Sequence, residues 1–261
     1  MIIQAIILGI IQGLTEFLPV SSSAHLYLIP YFFDWDYRGL GFDVALHWGT
    51  LAAVLFVFRQ DYWRYLKAFF LHLPTSARFQ NPDSLLAWFL IVGSLPAAVF
   101  GVILREQAET LFRHPLITAL TLAGFGFILW LADRKAVHDQ PLEQLSWMKV
   151  LGIGLAQAIA IVPGVSRSGA TITAGLLCKL SRQAAARFSF LLSGPIIFGA
   201  GLVTLPEITG LTAPLVAGFL AAAGSGAFAI KFLLKYLISK DFRIFVWYRY
   251  ALAVAVLLTL L

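Results

Sequence analysis

A polar interruption inside an apolar stretch decides the fold of this chain: residues 12–25 read QGLTEFLPVSSSAH. Pro19 ends the helix that the preceding residues predict, because proline has no backbone N–H to donate. The serines that follow favour a turn and the start of another helix. Within a membrane, such a break is tolerated only where protein or a water-filled cavity covers it. The stretch therefore predicts two short helices joined by a covered turn.

A second interruption has the same character. Residues 163–171 read PGVSRSGAT and lie inside the apolar segment 148–178. The Pro–Gly pair breaks the helix, as Pro19 breaks the apolar segment 1–30. We predict that 1–30 and 148–178 are both re-entrant helical hairpins, with two ordinary kinked spans as the alternative.

The composition is that of an integral membrane protein. Of the 261 residues, 60% are hydrophobic and 12% are charged, whereas soluble domains carry about 25% charged residues. The net charge is +6, and the positive residues lie in short loops between apolar runs. Such residues set the orientation of a membrane protein, so we expect no nucleic-acid partner. The single Cys178 excludes an intramolecular disulfide and a cysteine-based metal cluster.

Six other segments are long and apolar enough to cross about 30 Å of hydrocarbon as helices. They are 42–58, 84–104, 115–132, 186–205, 212–230 and 244–261. Together with the two hairpins they predict an all-α, polytopic membrane protein with a single transmembrane domain over residues 1–261. The glycine-rich stretch 217–226 permits close contact between helices, which is compatible with a homodimer.

The loop charges predict how the chain is oriented. If the loop at 59–83 is cytoplasmic, 14 of the 19 Lys and Arg residues lie in cytoplasmic loops, and only Arg38, Arg105 and Arg113 lie outside. This bias is a strong positive-inside signal. We therefore predict that both chain ends face outward, away from the cytoplasm. Arg167 and Arg249 belong to neither set of loops.

The same map predicts an inverted-topology repeat, with residues 1–140 as the first half and 146–261 as the second. Each half is a hairpin followed by three spans, and three is odd, so the second half runs inverted. Identical residues recur at an offset of 145. They are Gly9, Gln12, Val20, Ser21, Ser23, Leu46 and Gly49, matched by Gly154, Gln157, Val165, Ser166, Ser168, Leu191 and Gly194. Repeats with broken helices place binding sites near the membrane midplane.

The first interruption carries ionisable groups that are costly in a membrane, so function is their default interpretation. Gln12 and Glu16 are four residues apart and share one helix face. Ser22 and His25 lie in the first turn of the next helix, where they can face one another. Asp43 and His47 are weaker candidates, for the mouth of a cavity.

The second interruption supplies a cation without a nearby acid. Arg167 has no carboxylate within four residues, and a guanidinium matches phosphate geometry in bidentate fashion. Ser166, Ser168 and Thr171 add hydroxyls, and the following helix presents free N–H groups. Arg167 can therefore meet a phosphate, or pair with the carboxylate of the other hairpin.

Together the two interruptions suit phosphoryl transfer. Arg167 and the helix ends would stabilise charge, and Ser22 and His25 would act as nucleophile and proton carrier. A phosphoserine route, a phosphohistidine route and direct attack by water all remain open. The main alternative function is a transporter or flippase of a phosphorylated polyprenyl lipid. A channel fits poorly, because the spans lack repeated polar faces.

At these two motifs the sequence resembles the undecaprenyl-diphosphate phosphatase family, integral-membrane enzymes linked to bacitracin resistance. The strings are FLPVSSSAH at 17–25 and PGVSRSG at 163–169, and the resemblance covers essentially the whole chain. It implies hydrolysis of undecaprenyl diphosphate to undecaprenyl phosphate and inorganic phosphate, which recycles the lipid carrier for cell-wall synthesis. It also implies a bacterial inner membrane location, with the active site open to the periplasm.

The resemblance assigns roles to the motif residues. It carries over onto Gln12, Glu16, Ser21, Ser22, Ser23, His25, Ser166, Arg167 and Ser168. With Thr171 added from the second interruption, we predict catalytic roles for Glu16, Ser22, His25 and Arg167, and substrate contacts for Gln12, Ser21, Ser23, Ser166, Ser168 and Thr171. The resemblance also implies a divalent cation, magnesium or calcium, for which Glu16 and Gln12 are the candidate protein ligands. Many family members have Glu where this chain has Gln12, and one carboxylate makes a poorer cation site than two. We therefore expect the lipid diphosphate to supply most of the cation's ligands.

Overall fold

The computed structural model describes residues 2–36, 39–104, 107, 114–135, 139–208 and 210–260. Over these residues the regular structure is helical, which confirms the all-α class. The α-helices are α1 Ile2–Phe17, α2 Ser22–Phe32, α3 Leu40–Val57, α4 Arg59–His72, α5 Pro82–Ile103, α6 Pro115–Lys135, α7 Trp147–Ile159, α8 Arg167–Leu177, α9 Arg182–Thr204, α10 Ala213–Tyr236 and α11 Arg243–Leu258. Short 3-10 turns lie at Ser76–Phe79, Leu142–Gln144 and Leu205–Glu207.

Five helical segments are long and apolar enough to cross a membrane: Leu40–Val57, Pro82–Ile103, Pro115–Arg134, Arg182–Glu207 and Ala213–Tyr236. They coincide with five of the six predicted spans. The sixth prediction falls on α11, which has 16 residues and carries Arg243 and Arg249. Five long apolar helices make this a polytopic membrane protein.

The predicted cytoplasmic loop at 59–83 is largely helical, which the sequence analysis missed. Helix α4 begins directly after α3 and carries Arg59, Arg64 and Lys67 beside exposed aromatic residues. Burial raises the pKa of Tyr62, so its hydroxyl stays protonated and donates to the Leu191 carbonyl oxygen at 2.7 Å. This bond ties α4 to α9.

The two interrupted segments begin their second helix in the same way, although the break before it is longer in the second segment. Helix α1 ends at Phe17 and α2 begins at Ser22, while α7 ends at Ile159 and α8 begins at Arg167. Helices α2 and α8 both have 11 residues, and their first residues are 145 positions apart. The residues before them, Ser21 and Ser166, have φ angles of 75° and 73°. A positive φ is uncommon for a residue with a side chain, so the two turns share an unusual backbone.

Small residues let the broken segments pack closely against long helices of the opposite half. A side chain at Gly9 would collide with the Gly218 backbone on α10, and one at Gly154 would collide with Gly93 on α5. Gly226, in the glycine-rich stretch, lies against Phe17 and Ala53. The stretch offered as a dimer contact therefore serves, at Gly218 and Gly226, for packing within the chain.

Charged side chains pair at one end of the helix bundle. Arg187 at the start of α9 donates to Asp61 in α4 at 2.8 Å, and Arg64 donates to Asp83 at the start of α5 at 3.0 Å. Arg182 pairs with Asp133 near the end of α6 at 2.5 Å. The ends of α3 and α6 therefore lie beside the starts of α5 and α9. Arg38, Arg105 and Arg113, which the sequence assigns to the other end, lie outside the described residues.

Candidate active site

The two interrupted segments meet at a buried ion pair. Arg167 Nη2 at the start of α8 donates to Glu16 Oε1 near the end of α1 at 2.8 Å, and their side chains are 14% and 6% exposed. Arg167 Nη1 donates to the Ser189 carbonyl oxygen on α9 at 3.0 Å. A guanidinium has five N–H donors, so these two bonds fix its plane and leave other donors for an anion.

The second oxygen of Glu16 collects the other polar groups of the first segment. Glu16 Oε2 accepts from Ser22 Oγ at 2.6 Å and from Gln12 Nε2 at 3.0 Å. The bond from Gln12 confirms that these two residues share one helix face. His47 Nε2 on α3 lies 3.8 Å from the same oxygen. The hydroxyl, the carboxylate and the guanidinium therefore form a continuous chain of contacts across the two segments.

A cavity of about 870 Å³ leads to this ion pair. Residues at the starts of α3 and α6 and at the ends of α5 and α9 line the cavity. The cavity therefore opens at the end of the bundle opposite the charged pairs. Glu16, Ser23, His47 and Arg167 line it, and most of the other lining residues are apolar or aromatic. The cavity therefore has charged residues at its inner end and apolar walls above them. This arrangement fits an amphiphilic molecule with an anionic head group.

His25 is placed differently from the prediction. Its Nδ1 lies 2.7 Å from the Ser21 carbonyl oxygen and its Nε2 lies 2.6 Å from the Tyr248 hydroxyl on α11. The residue is 4% exposed, and its ring stacks on Tyr248. The expected Ser22–His25 pair is therefore not formed, because the Ser22 hydroxyl turns to Glu16 instead.

The remaining predicted hydroxyls mostly hold the turns together. Ser166 Oγ accepts from Gly169 N at 3.1 Å, and Ser168 Oγ donates to the Leu18 carbonyl oxygen of the first turn at 3.1 Å. Thr171 donates to the Arg167 carbonyl oxygen at 2.8 Å and is 1% exposed. Ser21 is fully buried, whereas Ser23 is exposed, and the two hydroxyls lie 3.2 Å apart. Of this set, Ser23 reaches the cavity surface.

Arg249 is the residue that sequence reasoning missed. Its side chain is fully buried and donates to the Pro19 carbonyl oxygen of the first turn at 3.2 Å. It also donates to the Gly164 and Val165 carbonyl oxygens of the second turn at 2.8 and 3.1 Å, and Leu122 on α6 accepts from its Nε at 2.9 Å. The sequence did contain a clue to Arg249, because an isolated arginine within an apolar membrane segment indicates a functional site.

The residues around Glu16 do not fit a cation held directly by the protein. Both carboxylate oxygens already accept from Arg167, Ser22 or Gln12. Among the described residues, no group of three His, Cys, Asp or Glu side chains is placed to hold a metal ion. Gln12 Oε1 is buried without a partner, and a single amide oxygen is a weak site for a hard cation that takes six or more oxygen ligands.

The geometry supports one kind of chemistry. A hydroxyl bonded at 2.6 Å to a carboxylate is placed to lose its proton as it attacks. The adjacent guanidinium can stabilise the negative charge that phosphoryl transfer develops. The arrangement can therefore bind a phosphate group and transfer its phosphoryl to Ser22.

Fold and site together define a helical membrane protein with an ionic centre at the base of an apolar cavity. A family model described as "Bacitracin resistance protein BacA" matches residues 5–255. The chain belongs to this family.

Relatives of the same length support the assignment. The chain is 49% identical to a protein of Moorella thermoacetica named undecaprenyl-diphosphatase, over 97% of this chain and 95% of the relative. It is 47% identical to a protein of the same name from Pelotomaculum thermopropionicum, over 98% and 96% of the two chains. A protein of Stutzerimonas stutzeri named undecaprenyl-diphosphatase 2 is 47% identical over 99% and 98%.

Proposed function

We propose that this chain hydrolyses undecaprenyl diphosphate to undecaprenyl phosphate and inorganic phosphate. The observation that carries the proposal is the contact of the Ser22 hydroxyl with Glu16 at 2.6 Å, beside Arg167. Ser22 is partly exposed, and Glu16 and Arg167 line the apolar cavity. A transporter needs an anion clamp but no activated hydroxyl. The names of the relatives point the same way. The reaction would return the lipid carrier to cell-wall synthesis.

The cavity suits the two parts of such a substrate. Arg167 lies at its base and would bind the terminal phosphate, because a guanidinium matches two phosphate oxygens at once. Tyr27, Tyr31, Trp35 and Ile197 are among the wall residues, and they would contact the isoprenoid chain near its head. Burial of apolar surface along these walls would supply most of the binding energy.

The first chemical step would form a phosphoserine. Ser22 Oγ attacks the terminal phosphorus while its proton passes to Glu16 Oε2. The bond between that phosphorus and the bridging oxygen breaks, and the electrons leave with the lipid monophosphate. Arg167 stabilises the charge on the transferred phosphoryl oxygens. Of the three routes that the sequence left open, this one is favoured because the Ser22 hydroxyl is already bonded to a base.

The second step would release inorganic phosphate. A water molecule attacks the phosphorus of phosphoserine, the bond to Ser22 Oγ breaks, and the oxygen takes back the proton held by Glu16. We assign His25 a positioning role in both steps, since its ring holds the Ser21 carbonyl oxygen beside Ser22. Ser166, Ser168 and Thr171 would shape the second turn, and Ser21 and Ser23 the first.

A divalent cation, if the reaction uses one, would arrive with the substrate. The diphosphate offers several anionic oxygens, whereas Glu16 and Gln12 offer the cation little that is not already bonded. Magnesium or calcium bound in this way would supply charge neutralisation on the phosphates. This chain's residues would bind and orient the head group.

The proposed setting is the bacterial plasma membrane, with the cavity open to the periplasm. The basic residues near the opposite end support this orientation. The inverted repeat and the two re-entrant hairpins are supported by helices α2 and α8, which match in length and in the positive φ angle of the residue before each helix. Glu16 and Arg167 would then lie near the membrane midplane, where repeat interfaces carry binding sites.

Phosphate release from a long-chain polyprenyl diphosphate by the purified protein in detergent tests the function. Arg167→Ala should lower kcat/KM at least about 10²-fold, because removing one preorganised donor to developing charge has an effect of this size. Arg243→Ala is the matched control, since that arginine is 70% exposed and pairs with Asp241 at the far end of the molecule. Equal phosphate release by the wild type and Arg167→Ala would exclude the site.

A further inference from the structure

The imidazole of His47 faces the cavity. His47 lies on α3 and lines the cavity, with its side chain 37% exposed. Its Nδ1 lies 2.8 Å from the Asp43 carbonyl oxygen of the preceding turn. A carbonyl oxygen only accepts hydrogen bonds, so Nδ1 carries the proton in the neutral ring. The lone pair is therefore on Nε2.

The lone pair points towards the groups that react. His47 Nε2 is 3.8 Å from Glu16 Oε2, the oxygen that accepts the Ser22 hydroxyl. That gap is longer than a direct hydrogen bond. Catalytic contacts are often long in a free enzyme and tighten when substrate binds. His25 differs, because both of its ring nitrogens are already bonded and its ring is buried.

We infer that His47 is the general base for the water that hydrolyses phosphoserine; the inference rests on the proposed function. Glu16 cannot do this, since after the first step it holds the proton of Ser22. In the second step the water oxygen bonds to phosphorus, the bond from phosphorus to Ser22 Oγ breaks, and Ser22 Oγ takes the proton from Glu16. His47 Nε2 takes the proton of the water and later releases it to solvent through the cavity.

Charged residues from several elements lie near His47 or line the same cavity. Glu16 on α1 faces it directly, and Arg167 on α8 lies beyond Glu16. Asp43 precedes it by one turn on α3, and Asp34 after α2 lines the same cavity. Glu207, in the 3-10 turn after α9, lies against the start of α3, where its carbonyl oxygen approaches Gly41.

The replacement His47→Gln tests the inference in the intact protein. Glutamine keeps a polar group at the site but accepts no proton. We expect kcat to fall about 10²-fold, as for loss of a general base. The ratio kcat/KM should change less than about threefold, because it reports the steps through release of the lipid monophosphate. With substrate carrying ³²P in the terminal phosphate, acid quenching should trap more label on Ser22 than in the wild type.

A second variant keeps the inference falsifiable if glutamine disturbs the fold. His47→Ala opens space in the cavity, and added imidazole should restore its kcat at least about tenfold. His72→Gln, in the last turn of α4 at the far end, should behave as the wild type. The inference is overturned if His47→Gln keeps wild-type kcat, or if kcat and kcat/KM fall together without trapped label or imidazole rescue. Failure of the proposed function is distinct, since then the wild type releases no phosphate or Arg167→Ala releases it normally.

Discussion

At the scale of single residues, His25 and His47 show how surroundings separate two imidazoles in one site. His25 is buried and bonded at both nitrogens, to the Ser21 carbonyl oxygen and the Tyr248 hydroxyl. His47 has one nitrogen bonded to its own helix and the other directed at the cavity. A histidine whose two ring nitrogens are both hydrogen-bonded to protein stabilises the local structure. A histidine with a free nitrogen lone pair can accept and release a proton.

The replacement Tyr248→Phe tests the positioning role of His25. It removes the hydroxyl 2.6 Å from His25 Nε2 and keeps the stacked ring. The imidazole then has a buried, unpartnered nitrogen, which costs about 1–3 kcal/mol. We expect kcat to fall about three- to thirtyfold as the Ser21–Ser23 turn loosens, with thermal stability also reduced. Phosphate release and a melting curve measure both effects, and Tyr236→Phe, at the last residue of α10 and outside the cavity lining, provides a second tyrosine for comparison. Wild-type kcat in Tyr248→Phe would contradict the role.

The sequence identified Glu16 and Arg167 because each is an isolated charge in an apolar segment, and such charges require a partner. Spacing on one helix also predicted the Gln12–Glu16 bond. It did not predict that Ser22 turns to Glu16, or that Tyr248 lies 223 residues from His25 in sequence and 2.6 Å away in space. Those contacts depend on how helices pack, which local spacing does not encode.

At the scale of elements, Arg249 on α11 joins both turns to α6. Its guanidinium reaches backbone carbonyls at Pro19, Gly164 and Val165, and its Nε reaches Leu122. Turns between broken helices leave carbonyl oxygens without helical partners. In a water-poor interior these oxygens are costly unless a donor meets them. One buried arginine therefore satisfies the ends of several elements at once.

The replacement Arg249→Met removes these donors but retains most of the side-chain volume. Several buried carbonyl oxygens lose a partner, while the cost of burying the charge is relieved, so we expect a net loss on the order of 3 kcal/mol. Unfolding of the protein in detergent, followed by heat or denaturant, measures the difference. Arg243→Met on the same helix, at an exposed arginine, should change stability by less than about 0.5 kcal/mol. Equal stability of Arg249→Met and the wild type would contradict this role.

Element boundaries were predictable where hydrophobicity alone sets them. The five long spans follow from unbroken apolar runs, and the breaks follow from Pro19 and Pro163. Helix α4 was missed because its charged residues resemble a loop, although Tyr62 and Tyr65 pack inward. Helix α11 is shorter than the predicted span, since Arg243 begins it and the chain turns after Leu258.

At the scale of the whole molecule, the charged pairs and the cavity lie at opposite ends. The pairs Asp61–Arg187 and Asp133–Arg182 join helix ends at one side, and the cavity collects Leu40, Gly101, Thr118 and Thr204 from the other ends of four helices. Corresponding loops of the two proposed repeats therefore fall on opposite sides. The loop after α3 and α4 carries Ser76, and its counterpart after α9 carries Leu211.

Cysteine labelling tests this inverted arrangement. In a Cys178→Ala background, which removes the one native cysteine, we introduce Ser76→Cys, Leu211→Cys or Ser239→Cys. All three positions are exposed, Leu211 at 85%. A membrane-impermeant maleimide added to intact cells should label Leu211→Cys, and should label the other two only after the membrane is opened. Inversion requires the first two positions to differ, because they follow equivalent spans. Labelling of Ser76→Cys and Leu211→Cys from the same side would exclude an inverted repeat. Labelling of Ser76→Cys and Ser239→Cys, but not Leu211→Cys, from outside would reverse the orientation.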